Sequence, residues 1–300
     1  MFGRFGKDAG SFSGLEIGPD SVRLLVSRYE RGHWRALGWA LEPFDPAVFQ
    51  QGELRDPGPV TAALRRALRR IGAKPGRVLA ALPATQVIVK RRHLPASMDE
   101  DRMEAILLAE ADRFVPFSLD ELALDFQVIG SSKDRPGEVE VLVAACRQVQ
   151  LDTLAGLLDD AGMEAVVVDV DALVLLPLLE DSESPEALLH LDGSRAALHA
   201  WATDGTPRCR TLRMDEDGLW VHEAARWLEA EVAGAEMPTL RVIGALPASA
   251  DLARHLPIAC QALDPLSGMD LGALTDPDAL RRVAPAMTLA CRLAMRGLER

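Results

Sequence analysis
At 300 residues, nearly half of them apolar, and with a formal net charge of −12, the chain can bury one large core or two ordinary ones and is a poor partner for nucleic acid or anionic lipid. Its cysteines, Cys146, Cys209, Cys260 and Cys291, are far apart, form no CxxC pair and are expected as reduced thiols. The first dozen residues lack an apolar signal-peptide core, and the longest apolar run, Ala172 to Leu179, is too short to span a bilayer, so a cytoplasmic chain is expected.

In chain order, Leu15 to Ile17 and Val22 to Val26 read as two strands around a tight turn at Gly18-Pro19-Asp20-Ser21. A third strand is expected near Trp34 to Ala40, after the turn at Arg31-Gly32. A helix is expected from Pro59 to Ile71, with Val60, Leu64, Leu68 and Ile71 on one face and Gly72 as its C-cap. Its Arg65, Arg66, Arg69 and Arg70 have no interleaved aromatics and read as a solvated face. From Arg77 to Asp171 the predicted order is strand, strand, helix, strand, strand, helix, strand. Ser97 and Glu100 have capping-box spacing. Met103, Leu107, Ala111 and Phe114 recur at helical spacing, and Pro116 ends that helix. Leu122 to Val128 and Val139 to Val143 alternate on either side of a polar tip and predict a hairpin.

Glu180 to Pro185 reads as an acidic linker and the lobe boundary. Beyond it, Leu188 to Leu191 and Ala196 to Trp201 flank an Asp192-Gly193 turn. Leu219 to Val232 is expected as a helix, Leu240 to Ile243 as a strand and Ser249 to His255 as a helix. A final helix over Pro285 to Leu298 carries an inward Met-rich stripe. No GxSxG, GxGxxG, Walker A or HExxH pattern occurs, so no catalytic residue is expected. His190 and His199 are placed across the Asp192-Gly193 hairpin, but two histidines without a third ligand make no metal site. Gly18 to Ser21 has two readings on its own. One is an ordinary hairpin; the other is a loop whose backbone N–H groups wrap a phosphate, with Arg23 as charge partner.

Several segments share order and spacing with a known family. They are Leu82-Pro83-Ala84-Thr85-Gln86-Val87-Ile88-Val89-Lys90, Ala109-Glu110-Ala111-Asp112-Arg113-Phe114-Val115-Pro116-Phe117, Leu124-Asp125-Phe126, Val141-Leu142-Val143-Ala144-Ala145-Cys146-Arg147 and Val168-Asp169-Val170-Asp171. This stretch, from Val78 to Leu175, resembles the PilM family of actin-like type IV pilus assembly proteins and the insert that family shares with the cell-division protein FtsA. The resemblance implies an α/β, actin-like (ribonuclease H-like) two-lobe fold. Residues 1–77 would open the first lobe, 78–148 would form an inserted SHS2-like subdomain, and 149–182 would return to the first lobe. Residues 183–300 would form a shortened second lobe, with the last helix free to pack back on the first.

The resemblance also implies ATP with Mg held between the lobes by Gly18, Pro19, Asp20, Ser21, Arg23, Asp192, Gly193, Ser194 and Gly244. Three departures weaken that site. Glu16 stands where relatives carry Asp. Asp192 stands next to Gly193 instead of two residues before it, a shift expected to turn its carboxylate to the other face of the strand. Gly244-Ala245-Leu246-Pro247 replaces a glycine-rich loop with residues of restricted φ. Weak or absent ATP binding and no enzymatic activity are therefore expected, with no resident cofactor and no metal.

The function implied is a cytoplasmic scaffold, peripheral to the inner membrane, that binds the N-terminal tail of a PilN-like membrane protein. Pilus motor ATPases are further implied partners; nucleic acid and direct membrane insertion are not. The tail is expected in a groove between actin core and insert, with Arg91, Arg92, Glu110, Arg113, Phe114 and Phe117 at one wall. The alternatives are a nucleotide-dependent actin-like ATPase and the equivalent scaffold of a mannose-sensitive pilus (MshI) or a type II secretion system (GspL). GspL continues into a membrane helix, and this chain ends at Arg300 without one.

Overall fold
The computed structural model of the protein describes residues 10–50, 52–72, 77–179, 187–193, 195–202, 204–214, 219–231, 239–244 and 259–296. The expected linker at 180–185 and helix at 249–255 lie outside these residues. The chain opens with β1 (Ser11–Ile17), β2 (Ser21–Glu30), β3 (His33–Pro43), the short β4 (Phe49–Gln50) and β5 (Glu53–Leu54), α1 (Pro57–Ile71) and β6 (Arg77–Leu82). It continues through β7 (Ile88–Pro95), α2 (Glu100–Glu110), β8 (Leu122–Ser131), β9 (Glu138–Arg147), α3 (Gln148–Asp160), β10 (Ala165–Val170) and α4 (Asp171–Leu175). After the lobe boundary come β11 (Ala187–Asp192), β12 (Arg195–Trp201), β13 (Pro207–Arg213), α5 (Leu219–Glu231), β14 (Leu240–Gly244) and β15 (Cys260–Ala262). The described chain closes with β16 (Met269–Asp270), α6 (Pro277–Val283) and α7 (Thr288–Arg296).

The first lobe is built on a sheet of order β10-β6-β1-β2-β3-β16. Strands β1, β2 and β3 form an antiparallel meander, while β6 and β10 add parallel strands beside β1. The second lobe repeats this plan in the order β13-β12-β11-β14-β15, again a meander followed by two parallel strands. This twofold repetition is the actin-like architecture that the resemblance implies, and it leaves no trace as a sequence repeat.

The Leu24-Leu25-Val26 run in β2 is apolar throughout because both faces of the sheet are covered. Leu24 packs with Val60 and Leu64 of α1 and with Leu154 and Leu158 of α3. Leu25 faces the other way, toward Leu280 of α6 and Ala290, Cys291 and Ala294 of α7. Helix α1 begins where Asp56 accepts a bond from Gly58 N at 3.0 Å, with Pro57 in the first turn, and ends at Gly72 with φ 67°. Helix α7 lies so close to β1 that only glycine fits at position 14: a Cβ there would sit 1.9 Å from Ala290 O. Ser27 Oγ donates to Ala294 O at 2.9 Å and fastens the same helix to β2.

Strands β7, β9 and β8 form a separate antiparallel sheet in that order, with α2 packed on it through Met103 and Leu107. Phe126 pairs with Val143 inside this sheet and not with the β1–β3 meander. Two boundaries differ from expectation. Strand β6 was grouped with the insert from Val78, yet it is a central strand of the first-lobe sheet, so the separate sheet begins at Ile88. The last helix, α7, packs back on the first-lobe sheet as the reading allowed, but the chain leaves the second lobe earlier than that, because β16 pairs with β3 and α6 packs on the same sheet.

One cap and one helix differ as well. Asp99, not Ser97, starts α2 by accepting from Arg102 N at 2.9 Å. The expected last helix splits into a 3-10 turn over Ala284–Met287 followed by α7. Met287 and Met295 are buried, as core-filling methionines should be. Among the described residues no helix is long and apolar enough to cross a membrane.

Candidate functional site
Two places join separate parts of the fold. The first is the cleft between the lobes, where the β1–β2 turn meets the β11–β12 turn. Gly18 N donates to Ser21 O at 2.9 Å and Ser21 Oγ to Asp20 Oδ1 at 2.9 Å, which fixes the first turn. Gly193, at φ 57°, lies against it: a Cβ on Gly193 would come within 2.9 Å of Asp20 Oδ2. Gly18, Pro19, Asp20, Ser21 and Gly193 are thus brought together, and Ser194 lies outside the described residues. Gly244 serves packing between strands. It sits beside Leu191 at φ 99°, and a Cβ would meet Leu191 O at 1.8 Å.

Arg23 occupies the centre of this cleft. Its guanidinium donates to Glu16 Oε1 at 2.9 Å, forms a close ion pair with Asp192 of the other lobe, and lies 3.6 Å from Asp20. All three principals are buried. Asp192 was expected to face away from the cleft. It is instead the last residue of β11, paired with Arg195, so the turn comes one residue later than predicted and the carboxylate points at Arg23. Residues 190 and 192 share a strand face, and His190 Nε2 lies 4.0 Å from Glu16 Oε1. His190 pairs with Ala197 and His199 with Leu188, so the two histidines are not opposite each other. The cavity beside this cluster is about 40 Å³ and is also lined by Asp171, Arg195, Cys209 and Thr211. That is room for a few waters.

Electrostatics follow from burial. Burial pushes the Glu16 carboxyl up to about 7, against the pull of Arg23. Burial also pushes Asp192 up, but Arg23 and His190 outweigh it and the net shift is down. Burial drives His190 down to about 3 and lowers His199 as well. The raised Glu16 value contributes stability that is full below 4.5 and lost as pH rises to about 7. The lowered histidines contribute stability that is full above 6.5 and lost as pH falls. Between 6.5 and 4.5 the two trends oppose each other. Glu16→Gln should therefore lose stability more steeply than wild type as pH falls through that window, read from urea midpoints; parallel curves would contradict this.

The second place is an apolar groove between the first lobe and the inserted sheet. It is lined by Ala123, Leu124 and Asp125 of β8, by Ala144, Ala145 and Cys146 of β9, and by Val168, Asp169 and Val170 of β10, with Leu82, Leu151 and Leu173 beneath. Strand β8 is an outer strand of its sheet and β10 an outer strand of the core sheet, so two strand edges border one groove. Asp169 is buried against Arg296 Nε at 2.6 Å, and burial raises its carboxyl despite that partner.

None of the six residues expected at the partner wall lines this groove. The Arg92 guanidinium stacks over Phe114 at 5.0 Å and that of Arg147 over Phe117 at 4.8 Å. Glu110 pairs with Arg113 at 3.3 Å on the surface. Arg91 bonds Glu140 at 3.2 Å and lies under the β12–β13 turn, where a Cβ on Gly205 would meet its guanidinium at 2.5 Å. Sequence reasoning missed Glu16 as the partner of Arg23, His190 as the neighbour of Glu16, and the lining of this groove. The usable signal for His190 was its i, i+2 placement with Asp192.

Comparison with known proteins agrees with this architecture. A solved PilM-PilN type IV pilus biogenesis complex contains a chain 20% identical, with a TM-score of 0.77, covering 98% of this chain and 100% of that one. The cytoplasmic domain of EpsL, an inner-membrane component of the type II secretion system of Vibrio cholerae, is 12% identical, with a TM-score of 0.51 over 95% of this chain and 94% of that one. The ethanolamine utilization protein EutJ from Carboxydothermus hydrogenoformans is 11% identical, with a TM-score of 0.52 over 95% and 89%. At these identities the likenesses speak to the fold. The family model described as type IV pilus assembly protein PilM matches residues 14–177, more than half of the chain. The chain therefore belongs to the PilM family of type IV pilus assembly proteins.

Proposed function
We propose that this protein is a non-enzymatic scaffold of type IV pilus assembly that holds the N-terminal tail of a PilN-like membrane protein in the groove between β8, β9 and β10. The observation that carries this reading is the pair of strand edges bordering one apolar groove. An extended peptide laid there satisfies its backbone on an edge and its side chains on Ala123, Ala144 and Val168. Asp125 adds a carboxylate to the lining, whereas that of Asp169 is already paired with Arg296, so the groove suits a tail that is mainly apolar with polar residues between. The solved PilM-PilN complex supports a partner of this kind. Such a tail is disordered when free, so ordering it offsets part of the contact energy and affinity is moderate. The tail links the protein to the inner membrane, and the pilus motors are the further partners of the assembly.

The cleft supports the non-enzymatic half of the reading. A guanidinium already pairs with Glu16 and Asp192 between the two expected phosphate loops, so a nucleotide would have to compete with both carboxylates for it.

The test is a synthetic tail peptide from the PilN-like partner, titrated by calorimetry. Ala144→Trp fills the groove from a half-buried position and should weaken the peptide by tenfold or more, about 1.4 kcal/mol, with little change in melting temperature. Phe117→Ala, outside the groove, should leave affinity unchanged. Loss of binding in Phe117→Ala with full binding in Ala144→Trp would place the tail at the Glu110–Phe117 segment and overturn the assignment.

A further inference from the structure
We propose that Glu16, His190 and Asp192 form a divalent-cation site that ties the two lobes together without nucleotide. One ligand atom from each lies within 4.8 Å of the others. Glu16 comes from β1 of the first lobe, and His190 and Asp192 come from β11 of the second, so an ion here bridges the cleft. All three side chains are more than nine-tenths buried, yet Glu16 Oε2, His190 Nε2 and Asp192 Oδ2 each lack a hydrogen-bond partner. Buried polar atoms are ordinarily satisfied, and three unsatisfied acceptors around one small cavity mark a place for a shared positive charge.

The charge balance agrees. Glu16 and Asp192 of the cluster, with Asp20 and Asp171 beside it, face the guanidiniums of Arg23 and Arg195 among the described residues. Arg23 uses Glu16 Oε1 and Asp192 Oδ1; Glu16 Oε2 has no hydrogen-bond partner, and Asp192 Oδ2 has only the Arg195 guanidinium at 3.6 Å, beyond hydrogen-bond distance. His190 brings an imidazole nitrogen within reach of the two carboxylates. One imidazole and two carboxylates suit a borderline ion such as Mn2+ or Zn2+ better than Mg2+, which prefers oxygen alone. The cavity of about 40 Å³ leaves space for the ion and its remaining waters.

The test uses the full chain after EDTA treatment and dialysis, with no nucleotide present. Thermal unfolding is followed against added MnCl2, ZnCl2 or MgCl2. A saturable rise of roughly 5 °C is expected with Mn2+ or Zn2+ near a hundred times the dissociation constant, with less from Mg2+. His190→Gln and Asp192→Asn should each abolish it, while Cys209→Ser should retain it. As a readout independent of any variant's folding, the electron spin echo of Mn2+ bound to the wild-type chain should show nitrogen modulation from the His190 imidazole. No saturable shift, an equal shift in His190→Gln, or a bound Mn2+ signal without nitrogen coupling would each overturn the site. These readouts do not involve the peptide groove, so failure here leaves the scaffold reading to be judged by its own titration.

Discussion

Gly14→Ala is expected to be among the most destabilising single-methyl additions in this protein. The new Cβ would stand 1.9 Å from Ala290 O and 2.4 Å from Ala294 N, both backbone atoms of α7. Rotation of a side chain cannot relieve such contacts, so the helix must move away from β1. It has little freedom to do so. Ala290, Cys291 and Ala294 are packed in the cluster around Leu25 and Leu280, while Leu289 and Leu293 are packed in the cluster that includes Phe12 and Leu188. Shifting the helix therefore loosens two clusters at once. Overpacking of a tight core typically costs 1–3 kcal/mol, and with backbone as the obstacle a loss of about 3 kcal/mol is expected. Urea or guanidinium unfolding gives the value; a loss under about 1 kcal/mol would mean that α7 does not pack on β1 in this way.

Arg23→Ala is the second large effect. The guanidinium is held by Glu16 and Asp192, and both carboxylates raise its already high pKa against the opposing effect of burial. Its removal leaves Glu16 and Asp192 buried without their cation, and breaking a buried pair from one side typically costs about 3–5 kcal/mol. Arg23→Lys should recover only part of this, because an ammonium lacks the fork that reaches two carboxylates at once. The deficit should shrink on acidification, since two carboxylates without a cation share a proton readily. Combining Arg23→Met with Glu16→Gln and Asp192→Asn should regain much of the loss, because no uncompensated charge remains. If Arg23→Ala costs less than 1 kcal/mol at neutral pH, the ion-pair plug does not exist in solution.

Local chemistry made the first half of the fold legible. Gly72 marks the end of α1, though the helix starts at Pro57 behind Asp56, two residues before the expected Pro59; the apolar spacing from Met103 marks the face of α2, and the polar tip before Gly137 marks the β8–β9 hairpin. What was not legible depends on distant contacts. Nothing near Arg77–Leu82 says whether that strand joins the insert or the core; its partners in β1 and β10 decide it, some 60 to 90 residues away. Met269–Asp270 is too short to register as a strand until β3 is placed beside it.

The site divides in the same way. The residues of the two turns could be read from Gly18 and Gly193, because turn chemistry is local. The direction of Asp192 could not, because it depends on where β11 ends, and that end lies one residue beyond the expected hairpin boundary. The groove was the hardest to see. Its lining alternates with core residues along β8, β9 and β10, and small residues such as Ala123 and Ala144 carry no chemical signal until the two sheets are brought together.

The central claim is that the working surface is the β8–β9–β10 groove and that the interlobe cleft takes no part as a nucleotide switch. It is tested most directly by calorimetric titration of the PilN-like tail peptide into the purified chain, with and without saturating Mg-ATP. The account predicts moderate peptide affinity that is the same in both titrations. By reciprocity, a nucleotide that altered peptide affinity would itself bind differently when the peptide is present. A severalfold change in peptide dissociation constant on adding Mg-ATP would contradict the account and restore the cleft as a nucleotide site.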